Sequence, residues 1–396
     1  MKKLMVIGAG AMQIPLLQKA KDLGIFTIAI DGNDKAQGVS LCDLFYNVST
    51  NDFKEVEALA MEHRVDGIIT NSDYPVRVMA SVSEKLQLKS LSYSASLLNT
   101  NKLLLREILQ EGGIPSPRFF KVESEQDAEH FAGRLGYPFI MKPVDSSASR
   151  GVSLVRSAQE IGSSFAEARR SSRNGHVIVE AYVPGREFSV EAFASDNQIR
   201  IVAITEKLTT GAPHFVELGH RIPASLTADE ESQIRTTVLS ALRITGIRNG
   251  ASHTEVKIND QGAFIIEIGP RLGGDYIATD LVPLATGYDM VENCLLSALS
   301  MPVREYAPLN KSAAIVFFTA SSGIVTSIEG VEEALEWKQL VRLELTIKLG
   351  DQVNSLKSSL DRIGYAIVVG DTPEEADAVA NAIKKQVVIR TESCEQ

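Results

Sequence analysis

Two glutamates and an arginine stand close together in His253–Gly274, HTEVKINDQGAFIIEIGPRLGG. Residues 253–258 alternate polar and apolar, and Phe264, Ile265, Ile266 and Ile268 form a second apolar run. Asn259-Asp260-Gln261-Gly262 lies between, so the stretch reads as a β-hairpin whose Gly262 supplies a left-handed turn position. With a three-residue loop at 260–262, Asn259 pairs with Ala263, Glu255 faces Glu267, and His253 faces Gly269. Facing carboxylates repel and raise each other's pKa. A divalent cation relieves that repulsion, since Mg²⁺ binds through one or two carboxylates plus substrate phosphates. Arg271 and Gly273-Gly274 follow, and a guanidinium beside such a site suits a planar anion. Two solvated surface glutamates are the plainer alternative. The apolar second strand, the arginine and the double glycine weigh against it.

Other residues could serve the same chemistry. Pro138–Val144, PFIMKPV, is an apolar strand with one lysine, Lys142. A buried ammonium is costly without an anionic partner, and a phosphate is one. The loop 145–151 after it is rich in Ser and Gly, so its backbone N–H groups can turn toward an anion. Few apolar side chains anchor it, which favours a mobile loop that closes over phosphates. His176–Tyr182, HVIVEAY, is a further strand, followed by Pro184-Gly185-Arg186-Glu187. In His214–Pro223, HFVELGHRIP, two histidines, Glu217 and Arg221 fall close together. Glu217 would attract an ammonium and Arg221 a carboxylate. A zinc site there lacks further His or Cys ligands at suitable spacing.

These residues need elements to hold them. Residues 1–98 alternate strand and helix, the pattern of a parallel sheet. The turn Gly8-Ala9-Gly10-Ala11-Met12-Gln13 is close to a dinucleotide fingerprint, with Gln13 in place of the third glycine and Asp31 where a ribose-binding acid would lie. Asn99 or Thr100 caps a helix that opens at Lys102 and closes before Gly112-Gly113-Ile114-Pro115. Residues 116–183 form a small α/β unit, and 188–224 are β-rich. Thr227 with Glu230 signals a capping box for a helix over 227–248. Helices fill 275–300, strands follow from Ala313, and Thr372-Pro373 starts the last helix. The tail after Ile389 reads as frayed.

Taken in order, these stretches resemble the ATP-grasp superfamily of carboxylate–amine ligases, and within it the L-amino acid ligases. The resemblance spans nearly the whole chain. Its motifs are Lys102 opening a helix that ends in Gly-Ile-Pro, the Lys142 strand with its Ser/Gly loop, the Pro-Gly-Arg-Glu hinge, the Glu217-x-Gly-His220-x-x-Pro223 segment, and the Glu267-x-Gly269-x-Arg271 segment. The family has Asn where this chain has Gly269, so the second magnesium site is incomplete in side chains. The resemblance implies an α/β ATP-grasp fold. It divides the chain into a Rossmann-like preliminary domain (1–98), an ATP-grasp domain (99–305) with a lid subdomain (about 116–183), and a C-terminal α+β lobe (306–396).

The resemblance further implies an ADP-forming ligase that makes an amide through an acyl phosphate, with an amino acid as one substrate. ATP and Mg²⁺, as one or two ions and with Mn²⁺ as a substitute, are the implied cofactors. Lys102, Lys142, Ser147, Ser149 and Gly151 would hold phosphates. Glu180, Ala181 and Val183 would meet the adenine, and Glu187 the ribose. Glu255 and Glu267 would hold the metal. Arg271 would stabilise the acyl phosphate, with Lys142 assisting. His214, Glu217, His220, Arg221, Arg271 and Gly274 would contact the substrates. An NAD-dependent oxidoreductase and a non-catalytic nucleotide-binding protein are the competing readings.

Composition sets outer bounds. The chain has 396 residues and a formal net charge of −10, which argues against a nucleic-acid surface. Its hydrophobic content of 44% and charged content of 23% are those of a globular protein. No apolar run reaches membrane-spanning length. The start MKKLMVIGAG reads as a first strand rather than a signal sequence. Cys42, Cys294 and Cys394 have no pairing or ligand spacing, which fits a reducing cytoplasm. The expected partners are small-molecule carboxylates and amines, with a homodimer left open.

Overall fold

A computed structural model describes residues 1–147, 149–212 and 214–392. The first unit is a parallel sheet of strands β1 (Lys3–Ile7), β2 (Phe26–Asp31), β3 (Leu44–Asn47) and β4 (Gly67–Ile69), in the order β3-β2-β1-β4. Helices α1 (Ile14–Asp22), α2 (Phe53–His63) and α3 (Val76–Lys85) connect and cover it. The central strands β1, β2 and β4 are largely apolar and buried, because such a sheet is covered on both faces. Helix α4 (Tyr93–Asn99) leads out, and α5 (Lys102–Glu111) is capped by Asn101 Oδ1, which accepts from Leu103 and Leu104 N–H.

Next comes a four-stranded sheet of β5 (Phe119–Val122), β6 (Phe139–Pro143), β7 (Ser153–Val155) and β8 (Val177–Ala181), ordered β5-β8-β6-β7. It packs on α6 (Glu125–Leu135) and α7 (Ile161–Ser171) through Phe139, Met141, Phe165 and Val179. These residues form the small α/β unit expected over 116–183, which the resemblance reads as a lid.

The largest sheet joins β9 (Arg186–Ser195), β10 (Gln198–Thr209), β11 (Glu217–Ile222), β12 (Gly250–Asn259), β13 (Gly262–Gly269) and β14 (Ser312–Phe318). One face of its β9, β12 and β13 packs on α8 (Ala228–Ile244), with Phe188, Val190 and Val256 against Ile234 and Val238. Helix α8 opens on the capping box of Thr227 and Glu230 that the sequence signals. Part of the other face packs on α9 (Val282–Thr286) and α10 (Met290–Ala298), joining Phe193, Ile222 and Ile315 to Val282 and Leu295. The remainder of that face carries polar side chains.

The chain beyond 306 extends this sheet. Counting β15 (Gly323–Glu329), β16 (Leu340–Leu345), β17 (Gln352–Val353) and β18 (Gly364–Gly370), the order is β13-β12-β9-β10-β11-β14-β18-β16, and every pairing is antiparallel. Short helix α11 (Val331–Leu335) and α12 (Pro373–Gln386) complete the last unit, where α12 buries Ala376, Val379 and Ile383 against Ala366 and Val368. Residues after Ile389 are not frayed up to Glu392. They belong to β19 (Val388–Glu392), which pairs with β15 as far as Glu392.

The hairpin differs from expectation in detail. Its loop is only Asp260-Gln261, and Asn259 pairs with Gly262, not Ala263. A bulge at Ile266 then adds one residue to β13, so Glu255 does face Glu267 and His253 does face Gly269. Edge strands tolerate such a bulge, and β13 is the sheet's edge.

Candidate active site

Strand alternation collects the polar residues on one face of the sheet. Across the ladder, Glu255 pairs with Ser189 and His253 with Glu191, Ser189 pairs with Thr205, and Lys207 pairs with His220. Lys207, two residues beyond Thr205, therefore shares a face with Glu255. Its Nζ lies 2.7 Å from Glu255 Oε1 and 3.5 Å from Glu217 Oε1. Glu217 reaches this face through a second bulge. The pairing runs Leu208 with Gly219, then Thr209 with Glu217, and Leu218 is skipped.

That bulge separates Glu217 from Arg221, against the expectation that they act together. Arg221 pairs with Glu206 on the opposite face, where its Nη2 lies 2.6 Å from Glu206 Oε2 and its Nη1 meets Asp377 of α12. Arg221 therefore points away from Glu255 and Lys207 and ties the sheet to the last helix. His214 also lies apart, exposed in the turn before β11. The two histidines do not form a metal pair.

The carboxylate facing it does not raise the Glu255 pKa. Lys207 and, more weakly, His253 and Lys102 outweigh burial and hold Glu255 down at about 2. Glu267 has its own lysine, since Lys102 Nζ donates to Glu267 Oε1 at 3.1 Å and to the Ser146 carbonyl at 2.7 Å. Each glutamate thus has a cation in place. Among the described residues, no three His, Cys, Asp or Glu side chains cluster to hold an ion unaided. Two carboxylates that need outside oxygens to complete a shell fit Mg²⁺ bridging to phosphates. The place of a third side-chain ligand is left without one by Gly269, although there is room for a side chain. A Cβ on Gly269 would lie 3.6 Å from both Arg271 Cζ and Asp73 Oδ1.

Arg271 is held by a residue of the first unit. Its Nε and Nη2 donate to Asp73 Oδ1 and Oδ2 at 2.6 and 3.0 Å. Burial opposes both charges, yet the pair keeps Asp73 low and Arg271 high in pKa. This bidentate grip is one a substrate carboxylate can match.

Lys142 projects from β6 into a buried triad. Glu180 Oε2 lies 2.7 Å from Lys142 Nζ, and Glu180 Oε1 lies 3.0 Å from Arg106 Nε. Glu180 is 2% exposed and Arg106 0%. Two cations share one carboxylate. Burial and the neighbouring Arg106 and Lys102 charges therefore push the Lys142 pKa down, despite Glu180. An arriving phosphate would supply the missing negative charge. Glu180, expected beside the adenine, is occupied by these two cations. Ala181 ends β8, and its N–H donates to the Arg118 carbonyl at 2.8 Å. Val183 lies in the link from β8 to β9, and Glu187 pairs with Lys257 at 2.8 Å.

The loop after β6 lies beside this triad, with Ala148 outside the described residues. Ser149 and Gly151 have φ of 55° and 73°. A Cβ at Gly151 would come 2.5 Å from Ser171 Cβ, so only glycine fits there. Arg150 Nε donates to the Ser147 carbonyl at 3.2 Å.

On the far side of Lys207, His220 Nε2 meets Asp275 Oδ2 at 3.3 Å, and Arg362 grips Asp275 at 2.7 and 2.8 Å. Ser359 donates to Glu217 Oε2 at 2.6 Å. A Cβ on Gly274 would contact Met12 Cε at 3.6 Å. The site is thus walled by all the units. Asp73, Arg106, Lys207, Ser359 and Arg362 were not singled out from sequence.

The glycine turn is filled from within. Gln13 Nε2 donates to Ser72 Oγ at 2.8 Å, and a Cβ on Gly8 would lie 2.9 Å from Gln13 Cδ. Asp31 Oδ2 accepts from Ala9 N–H at 2.8 Å. The two groups a dinucleotide would need are both engaged.

Comparison with known proteins bears on the fold and its two domain families. Residues 135–280 match the ATP-grasp domain, and residues 316–392 match L-amino acid ligase C-terminal domain 2. An uncharacterized protein of Sinorhizobium fredii is 26% identical over 284 residues, covering 70% of this chain but only 58% of that protein. A formate-dependent phosphoribosylglycinamide formyltransferase of Sulfurisphaera tokodaii is 25% identical, covering 98% of this chain and 97% of the relative. The crystal structure of an L-amino acid ligase from Bacillus licheniformis superimposes with a TM-score of 0.86 at 22% identity, covering 99% of both chains.

Proposed function

We propose, because the chain belongs to the ATP-grasp superfamily, that it is an ADP-forming ligase joining a carboxylate to an amine, with an amino acid as one substrate. The observation that carries this reading is the placement of Glu255 and Glu267 across one hairpin, between Lys102, Lys207 and Arg271.

The reaction needs few side-chain proton transfers. A carboxylate oxygen of the first substrate attacks the γ-phosphorus of ATP, the bond to the β-phosphate oxygen breaks, and ADP leaves. The amine then attacks the acyl carbon, the acyl–oxygen bond breaks, and orthophosphate leaves as the amine loses a proton. Charge neutralisation and positioning dominate such transfers. Glu255 and Glu267 would hold Mg²⁺, which when bound neutralises phosphate charge. Lys142, under-neutralised in its triad, pairs with a phosphate. Lys102 anchors the Ser146 loop while facing Glu267. Arg271 exchanges Asp73 for the reacting carboxylate.

His220, Asp275, Arg362, Glu217 and Ser359 form a polar wall beyond Lys207 that supports selection of an amino acid. The dinucleotide reading is weaker, since Gln13 and Asp31 already close the glycine turn. The test is Mg²⁺-dependent ADP release with amino acids added singly and in pairs. Acid-dependent ADP release is expected. Tight NAD binding without any ATP binding would refute the proposal.

A further inference from the structure

A cavity of about 250 Å³ opens between the first unit, the lid and the edge strand β13. At one end it meets Lys102, Ser147 and Glu267, the nucleotide and metal residues proposed above. Its other end is lined by Tyr74, Arg77, Asn99, Thr100, Asp145 and Arg173, none of which that reading uses.

This second end has unbalanced positive charge. Asp73 is spent on Arg271 and Glu267 faces Lys102. Asp145 accepts from Ser172 Oγ at 2.8 Å and Arg173 N–H at 3.1 Å, and offsets only part of the arginine charge. Among the described residues, neither Arg77 nor Arg173 makes an ion pair. Arg77 uses Nε and Nη2 on Thr100 Oγ1 and carbonyl O, at 2.6 and 3.0 Å, which fixes its plane and leaves Nη1 free of those contacts. Arg173 lies over the Tyr74 ring with Cζ 3.8 Å from the centroid, and Arg150 lies 5.3 Å from the same ring. Stacking orients a guanidinium while leaving its N–H edge to bind. Burial, and for Arg77 the nearby Arg173 charge, holds both groups below the usual guanidinium pKa. Asn99 is buried, gives both amide hydrogens to the Ala95 and Thr245 carbonyls, and keeps Oδ1 without a partner.

We propose that this end of the cavity is an oxyanion subsite, separate from the nucleotide's phosphates, in which Arg77 and Arg173 bind a carboxylate or phosphate. The anion comes either from a remote group of the substrate or from the orthophosphate that the reaction releases. The placement beside the γ-phosphate rests on the function proposed above; the anion site itself stands on the cavity and its charges.

The test is calorimetric titration of the full chain with orthophosphate and, separately, succinate, at constant ionic strength, with and without saturating Mg·ADP. Saturable binding of at least one anion is expected, persisting with Mg·ADP and weakened about tenfold or more by Arg173→Gln. Arg77→Gln serves as the second variant, and thermal melting checks that each is folded. Orthophosphate alone binding identifies the product as the source. Succinate alone binding identifies a substrate carboxylate, and binding of both supports the shared chemistry. Absence of saturable binding, loss of it on adding Mg·ADP, or equal affinity in wild type and both folded variants would overturn the proposal. Anion binding without nucleotide binding would sink the ligase reading and leave this subsite standing.

Discussion

Glu255 faces Glu267 across the hairpin, yet the two carboxylates answer to different lysines, Lys207 from β10, which lies beyond β9 in the sheet, and Lys102 from helix α5. The apo site is therefore balanced, and an arriving cation must displace or share these ammonium groups. Removal of one carboxylate uncovers a lysine rather than relieving repulsion. Glu267→Gln is expected to abolish Mg²⁺-dependent ADP release and to lower stability without nucleotide by about 1 kcal/mol, since Glu267 is partly exposed. ADP release and urea unfolding check both halves. Near wild-type turnover would mean the hairpin is not the metal site.

Lys207 carries more. It is 8% exposed at the side chain and stands between Glu255 and Glu217. Lys207→Met leaves two carboxylates facing each other, and a loss of about 2 kcal/mol or more is expected at neutral pH. The pH dependence follows from the depressed Glu255 pKa of about 2. A depressed carboxylate contributes stability above its unfolded pKa of about 4.3 and loses it as pH falls through the folded value. The gap between wild type and variant should therefore be full above about pH 5 and shrink toward pH 2. Chemical unfolding of both proteins across that range measures it. A gap that is constant down to pH 2 would contradict the assigned ion pair.

Gly269 stands where the ATP-grasp resemblance implies a metal-ligating asparagine, and a Cβ there would meet Arg271 and Asp73. Gly269→Asn should fold, because its Cβ meets only ordinary contacts at 3.6 Å. Its carboxamide would then compete for the Arg271–Asp73 pair. The expected outcome is weaker carboxylate use with little change in Mg²⁺ dependence. Steady-state kinetics varying each component separates the two, and a sharply altered Mg²⁺ requirement with normal carboxylate KM would show that the asparagine reaches the metal.

Much of this site was legible in the sequence, and what was hidden has identifiable causes. The hairpin, the Lys142 strand and the α8 capping box follow from alternation and local capping, which short stretches encode. The Glu255–Glu267 pairing was also read, but through compensating differences: the loop is one residue shorter than inferred, and the Ile266 bulge restores the register. At Leu218 no such compensation occurs, and Glu217 and Arg221, read from sequence as acting together, lie on opposite faces. Bulges answer to the packing of neighbouring strands, which local sequence does not display. The partners Lys207, Asp73 and Arg106 were likewise hidden, because their contacts join residues distant in the chain. Strands β14, β18 and β16 extend the main sheet for the same reason.

The two faces of β11 give a final prediction. Glu217 points toward Lys207 and Ser359, at the polar wall, while Arg221 points toward Glu206 and Asp377 beneath it. Truncating each residue should therefore produce different kinds of damage. Glu217→Gln is expected to alter which amino acid supports ADP release, with ATP affinity within about threefold of wild type. Arg221→Ala removes a bidentate contact to Glu206 and the link to α12, and a loss of about 1–3 kcal/mol in stability is expected. Its substrate profile should stay that of wild type. Profiling ADP release over a panel of amino acids, alongside urea unfolding, reads both effects. A shifted profile in Arg221→Ala with unchanged stability would place Arg221 in the substrate pocket and overturn the division of this strand into a functional and a structural face.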